Sequence, residues 1–408
     1  MSRSLAEIRD EIDLLDRELQ SLVNRRAALA HEVAMLKIDA GENPAGFYRP
    51  EREAQILREV ISRNQGPLSS EAISRIFREM MSACLALEMP MNVAFLGPEG
   101  TYTHAAMTRH FGGFITPKSC LTIDAVFHLV ASEQAHYGVV PLENSSEGLI
   151  SQTFDALISS SLQVCGEVQL RINHNLLGMA KHAEPSVKAP LTESSKEAAG
   201  EHVINTNLGS KIKKIYAHPQ SLGQCRRWIE RHLPHAEQVM MSSNALAALK
   251  ASSEGDAVAI ASETAGRRYG LTTLARHIED QADNMTRFIM IGRTRPRASG
   301  HDKTMIAIKL KQSHQGQLAS GLYEPLRPLM DREIPVVRME SRSTSVLKSE
   351  QSASEVDLLL LDLEGHVEDQ EIMHALEEVK KLTLDLKILG AYPQPLPIFD
   401  SERVTQCP

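Results

Sequence analysis

From Ser4 to Ile38 the chain has neither glycine nor proline, and apolar side chains return at Leu5, Ile8, Ile12, Leu15, Leu19, Leu22, Leu29, Val33 and Leu36. Steps of three, four and seven put them on one helical face. At 1.5 Å per residue such a helix is roughly 50 Å long, more than the width of a small domain. A lone copy leaves its apolar stripe wet, so a second chain is expected against it. Asn43-Pro44 and Gly46 end the segment. A second helix is predicted from residue 50 to about 64, opened by Pro50 and broken by Gly66-Pro67. A third starts at Ser69-Ser70-Glu71 and reaches about Glu88. Residues 1–90 therefore read as an all-helical unit.

At Met91 the period changes. Asn92-Val93-Ala94-Phe95-Leu96 reads as a strand, then a turn through Gly97-Pro98-Glu99-Gly100, then a helix capped by Thr101. The form repeats at Tyr137–Val140, Pro141–Gly148 and a helix over 149–159. Further strands are predicted at Lys214–Ala217, Ala257–Ala261 and Arg287–Ile291, with helices between. Residues 91–295 thus form an α/β layer unit. Within it, 183–210 is a polar stretch read as a surface insertion. Arg293–Gly300 has the composition of a linker. Over 302–395 the order is strand (303–310), helix (317–332), strands (335–340 and 356–363), helix (369–381) and strand (384–389). That is βαββαβ, an α+β ferredoxin-like pattern.

Composition narrows the function. The 408 residues carry a net charge of -8, against general nucleic-acid binding, which needs a basic face. Aromatics are 4%, too few for base-stacking platforms. No apolar run approaches the ~20 residues of a membrane span. The first residues are charged and offer no apolar leader core, so the cytoplasm is the expected location. The five cysteines are scattered without C-x-x-C, so neither disulfides nor structural zinc are expected. Neither a metal spacing nor a cofactor motif stands out.

Charged residues on the helical unit are candidate ligands. Arg26 and Lys37 are 11 residues apart and share a face. Arg9 precedes Arg26 by 17 residues, roughly 25 Å along the axis. Two arginines reaching ~7 Å each do not grip one small molecule from one straight helix. If both bind it, Arg9 comes from a second subunit. The alternative is ordinary solvated helix charges. In the α/β unit, strand ends leading into helix N-termini present free N–H groups suited to carboxylates or phosphates; plain turns are the alternative.

Three sets of motifs resemble known families. L-x-x-I-R-D-x-I-D-x-L-D, R-R-x-x-L-A-x-E-V-x-x-x-K and F-Y-R-P-E-R-E are similar to the all-helical chorismate mutase domain, an intertwined dimer. The resemblance implies that Arg26 and the partner's Arg9 bind the substrate carboxylates. It puts Lys37 on the ether oxygen, and Arg52 and Glu53 in the substrate wall with Glu53 on the hydroxyl. Cys84 and Glu88 stand where relatives have Ser and Gln, and Arg49 where some carry Asp. G-P-E-G-T-Y-T-H, V-V-P-L-E-N-S-S-E-G, H-P-Q-S-L-x-Q-C and D-N-M-T-R-F resemble prephenate dehydratase, whose fold is two α/β lobes around a cleft, like periplasmic binding proteins. That implies Thr286 as the essential group, with Thr101, Glu143, Asn144, Ser145, Gln224, Arg287 and Phe288 in or beside the cleft. Arg287 is read either as a carboxylate partner or as a loop anchor. Ala217 stands where relatives often have Ser. The 302–395 unit resembles an ACT regulatory domain, with Glu340-Ser341-Arg342 as its E-S-R. Gly316-Gln317-Leu318 replaces Gly-Ala-Leu, and Ser343 replaces the following Pro. It implies phenylalanine bound by Gly316, Leu318, Glu340, Ser341 and Arg342 between paired copies.

The function these resemblances imply is chorismate to prephenate, then prephenate to phenylpyruvate, with phenylalanine feedback. A Claisen rearrangement needs a compact conformer and donors facing the ether oxygen. Lys37 donates as it stands; Glu88 donates only if protonated, which requires a raised pKa. An arogenate dehydratase and a two-lobed solute-binding protein are the competing readings.

Overall fold

The computed structural model describes residues 3–41, 48–180, 212–281, 283–310, 318–344 and 356–396. Gly316, the side chain of Leu318 and the polar stretch 183–210 lie outside the described residues. Three helices open the chain: α1 (Leu5–Asp39), α2 (Pro50–Arg63) and α3 (Ser70–Glu88). Ser4 and Glu7 form a reciprocal cap on α1. The C-terminal half of α1 lies on α3. The rest carries its stripe in the open. Ala34 is the only buried residue of α1, and Leu5, Ile12, Leu15, Leu19 and Leu22 are each at least half exposed.

The second unit has two lobes. The first contains β1 (Asn92–Leu96), α4 (Tyr102–Phe111), β2 (Thr116–Cys120), α5 (Ile123–Ala131), β3 (Tyr137–Asn144), β4 (Gly148–Leu149), α6 (Ser151–Ser159) and β5 (Gln163–Arg171). The chain then crosses to β6 (Asn175–Gly178), β7 (Lys214–Ala217), α7 (Pro219–Gln224), α8 (Arg226–His232), β8 (Glu237–Met240), α9 (Asn244–Ala251), β9 (Ala257–Ala261), α10 (Glu263–Tyr269) and β10 (Thr272–Ala275). It returns as β11 (Met285–Gly292), which lies between β5 and β3. The second lobe's sheet has the order β10-β6-β9-β7-β8.

The third unit is β12 (Asp302–Lys309), α11 (Leu318–Met330), β13 (Val336–Thr344), β14 (Val356–Glu364), α12 (Gln370–Leu382) and β15 (Asp385–Pro393). Its order β13-β14-β12-β15 is the ferredoxin-like arrangement expected from the pattern. The unit is not set apart by its linker. β15 runs parallel to β5, with Gly390 opposite Val164, so its sheet continues into the first lobe. A Cβ on Gly390 would stand 2.2 Å from the Val164 carbonyl oxygen, and glycine is what lets the backbones meet. Met305, Leu360, Leu389 and Tyr392 share one hydrophobic core with Val140, Leu157 and Ile289.

Candidate active sites

The helical unit gathers four of the expected residues. Arg26 and Lys37 come from α1, Cys84 and Glu88 from α3. The Arg26 Nη1 donates to Cys84 Sγ at 3.1 Å. Partial burial pushes the Glu88 carboxyl above its ordinary pKa, although Lys37, His31 and Arg26 each pull it down. A raised pKa shifts a carboxyl toward its protonated form, which can donate a hydrogen bond. Arg9 stands on the exposed half of α1, away from this group.

The second wall does not form as the motif implied. Glu53 shares α2's inner face with Pro50, Leu57 and Val60, and that face packs on the rest of the chain. Its carboxylate pairs with Arg78 Nε at 3.3 Å and lines a cavity of about 720 Å³ bounded by α2, α3, α4 and β5. Arg52 is exposed in the first turn of α2, and Arg49 is its N-terminal cap residue. Within one chain, therefore, Glu53 is engaged with Arg78, while the cations acting on Glu88 are Lys37, His31 and Arg26.

In the α/β unit, strand pairing brings Thr286 opposite Asn144. Asn144 Nδ2 donates to Thr286 Oγ1 and to Asn284 Oδ1, each at 2.8 Å, while its Oδ1 accepts from the Ser146 N–H at 2.9 Å. These partners fix the amide's orientation. A lone pair of Thr286 is thereby occupied, and its hydrogen is left to donate. Ser145 Oγ accepts from the Met285 N–H at 2.9 Å. Gln224 Oε1 accepts from Asn284 Nδ2 at 3.3 Å and from His174 Nε2 at 2.7 Å. The His174 hydrogen accordingly sits on Nε2, and Nδ1 is buried without a hydrogen-bond partner. Burial lowers the His174 pKa, so the ring stays neutral. Thr286, Asn144, Asn284, Gln224 and His174 form one polar chain joining the lobes. Asn284 and His174 were not singled out from the sequence. The first sits inside D-N-M-T-R-F, and the second is a lone histidine after β5 with no spacing partner.

Of the other expected cleft residues, Thr101 lies at the junction of the lobes, while Arg287, Glu143 and Phe288 turn away from the cleft. The Thr101 hydroxyl caps α4, accepting from the His104 N–H at 3.3 Å and donating to Pro98 O at 2.9 Å. Its loop faces the second lobe, where Ser262 Oγ donates to Gly100 O at 3.2 Å. Arg287 is not a cleft cation. Side chains alternate along a strand, so beside Thr286 it faces the other way. There it pairs with Glu167 at 2.6 Å and Asp362 at 2.7 Å. Glu143, paired in register with Arg287, likewise turns from the cleft and forms an ion pair with Arg338 of β13. Phe288 is core, packed with Val93, Phe111 and Met290. Of the regulatory candidates, Glu340, Ser341 and Arg342 lie on β13, and Arg342 pairs with Asp155 of α6. Among the described residues, no group of three or more metal-ligating side chains converges, and no helix is long and apolar enough to cross a membrane.

A helical mutase unit fused to a two-lobed dehydratase is the class of enzyme that this fold and these residues define. The sequence matches the chorismate mutase type II family over residues 8–89 and the prephenate dehydratase family over residues 93–296. It is 39% identical over 392 residues to the bifunctional chorismate mutase/prephenate dehydratase of Stutzerimonas stutzeri, covering 96% of this chain and 98% of the relative. Among solved structures it resembles the prephenate dehydratase of Arthrobacter aurescens in complex with L-Phe (TM-score 0.58, 29% identity, 74% of this chain and 90% of that one). It also resembles GqqA, described as a novel type of quorum-quenching acylase (TM-score 0.59, 25% identity, 74% and 98%). The chain belongs to the bifunctional chorismate mutase/prephenate dehydratase family. It converts chorismate to prephenate and prephenate to phenylpyruvate, in phenylalanine biosynthesis.

Proposed function

We propose how the two reactions are divided among these residues. In the first, the ether bond of chorismate breaks as a carbon–carbon bond forms, and no nucleophile takes part. Arg26 and Arg9 of the partner subunit hold the carboxylates, while Lys37 and protonated Glu88 donate to the ether oxygen as it gains charge. The bare stripe of α1 supports this reading, because a second copy laid along it would cover the apolar face and bring Arg9 to the site. In the second reaction, the ring–carboxylate bond breaks and its electron pair enters the ring. The ring–oxygen bond breaks with its pair, giving carbon dioxide and, after protonation, water. Thr286 donates its hydrogen bond to the departing oxygen. The observation that carries this assignment is the 2.8 Å bond from Asn144, which turns Thr286 into a donor. Prephenate's carboxylates are held by backbone N–H groups and amides of the cleft rather than by Arg287.

The C-terminal unit is read as an ACT domain that binds L-phenylalanine and inhibits the dehydratase. Its ferredoxin-like order and the L-Phe complex of the Arthrobacter relative support this. The enzyme is a cytoplasmic homodimer or larger homo-oligomer. One assay tests the scheme: chorismate is supplied, and prephenate and phenylpyruvate are both followed, with and without L-phenylalanine, with arogenate as a parallel substrate. Both products and a phenylalanine-dependent fall in phenylpyruvate are expected. A purified chain that leaves chorismate untouched overturns it.

A further inference from the structure

Two neighbouring pairs of residues sit back to back at the dehydratase site. Thr286 and Asn144 face the cleft. Arg287 and Glu143, each adjacent to one of them in the chain and paired with each other across β11 and β3, face the C-terminal unit. Every strong contact of this second pair lies beyond the cleft. Arg287 reaches Asp362 of β14 at 2.7 Å and the Tyr392 hydroxyl of β15 at 3.0 Å, and Glu143 is ion-paired with Arg338 of β13. Glu167 binds Arg287 on one oxygen and Lys303 of β12 on the other, both at 2.6 Å. β13, β14 and β15 are therefore tied directly to the two strands that carry Thr286 and Asn144, and β12 is tied to them through Glu167 of β5.

The cluster is buried: Arg287 is 4% exposed, Asp362 and Glu167 2%, and Tyr392 fully covered. Its three cations, Arg287, Lys303 and Arg338, balance its three carboxylates, Glu143, Glu167 and Asp362. A buried cluster of this kind adds little net stability, but removing one member leaves its partner uncompensated. It therefore fixes relative position more than it strengthens the fold. It is also not saturated: Asp362 Oδ1, Glu143 Oε2 and Arg338 Nε are buried without hydrogen-bond partners. A small shift of β13 or β14 has another arrangement of the same charges available to it.

We infer that Arg287 and Glu143 are positioning residues, held from the C-terminal unit by Asp362, Tyr392 and Arg338, which set the β3–β11 backbone under Thr286 and Asn144 and carry the effect of L-phenylalanine to it. This rests on the reading of Thr286 as the catalytic hydroxyl and of the C-terminal unit as the phenylalanine sensor.

The test uses the full chain with Arg338→Gln, at a partly exposed position, and Asp362→Asn, at a buried one. L-phenylalanine binding is measured by calorimetry, and prephenate turnover is followed across L-phenylalanine concentrations, with mutase activity as the folding control. The expected result is retained L-phenylalanine binding, with half-inhibition moved at least about five-fold higher. Dehydratase kcat should change at least about three-fold with KM within two-fold, and the mutase should be unaffected. Inhibition curves and kcat within two-fold of the unsubstituted enzyme in both variants overturn the inference. So does a parallel loss of both activities, which marks a purely structural cluster. Two controls separate this from the underlying reading. An active Thr286→Ala removes the catalytic assignment. An unsubstituted chain that binds no L-phenylalanine removes the sensor reading and leaves the kcat comparison to decide.

Discussion

The mutase and dehydratase sites are completed in different ways. The dehydratase chain from Thr286 to His174 is assembled within one polypeptide, from two lobes, with each amide given a definite direction by its neighbours. The mutase group of Arg26, Lys37, Cys84 and Glu88 is open on one side, and the helix that carries its first two residues leaves Leu15, Leu19 and Leu22 in water. A site built from a compact α/β cleft needs no second copy to reach its geometry. A site built on a single helix of 35 residues, with its apolar stripe exposed, does need one under the proposed pairing of two copies.

The comparison breaks first at Thr286. Thr286→Ala should lower phenylpyruvate formation by about 10²–10³-fold or more while prephenate formation continues, as measured by product analysis from chorismate. Retained dehydratase turnover in that variant removes the assignment. On the mutase side, Arg9→Ala and Lys37→Ala should each be nearly inactive alone. Mixed and re-paired at random, they should regain about a quarter of the sites, because half of the dimers are mixed and one site in each has both residues. No recovery after unfolding and refolding together would place Arg9 in its own chain's site.

Smaller effects sharpen the contrast. Gly390→Ala forces a methyl group against Val164, and should cost roughly 1–3 kcal/mol of stability, read from thermal unfolding. An unchanged transition would mean that the two backbones separate without penalty. Burial raises the Glu88 pKa, and if Glu88 is the proposed donor in its protonated form, mutase kcat should fall as pH rises through that pKa. Glu88→Gln, always a donor, should give a flat profile; a flat profile in the unsubstituted enzyme rules Glu88 out as the acid.

What could be read in the sequence followed from local periodicity. The 3.6-residue repeat of Leu5 to Leu36 gave α1 to within a residue, and strand–helix alternation gave the order of the C-terminal unit. What escaped was set by packing between distant segments. The motif alone leaves Arg287 open between two roles, although period-two alternation beside Thr286 turns it from the cleft; its partners Glu167 and Asp362 are 120 and 75 positions away and carry no local signal. Glu53 has the motif's identity but turns with the buried face of α2. His174 and Asn284 are single polar residues whose meaning appears only when β5 and β11 meet.

The long exposed helix has a consequence for how the enzyme behaves at different concentrations. If each mutase site borrows Arg9 from the other copy, its activity follows the dimer population, by mass action. The dehydratase cleft follows the number of chains. On progressive dilution the first step should fade before the second, and specific activity for chorismate should decline at protein levels where specific activity for prephenate is still constant. Two catalysts on one polypeptide would then have separate dose curves.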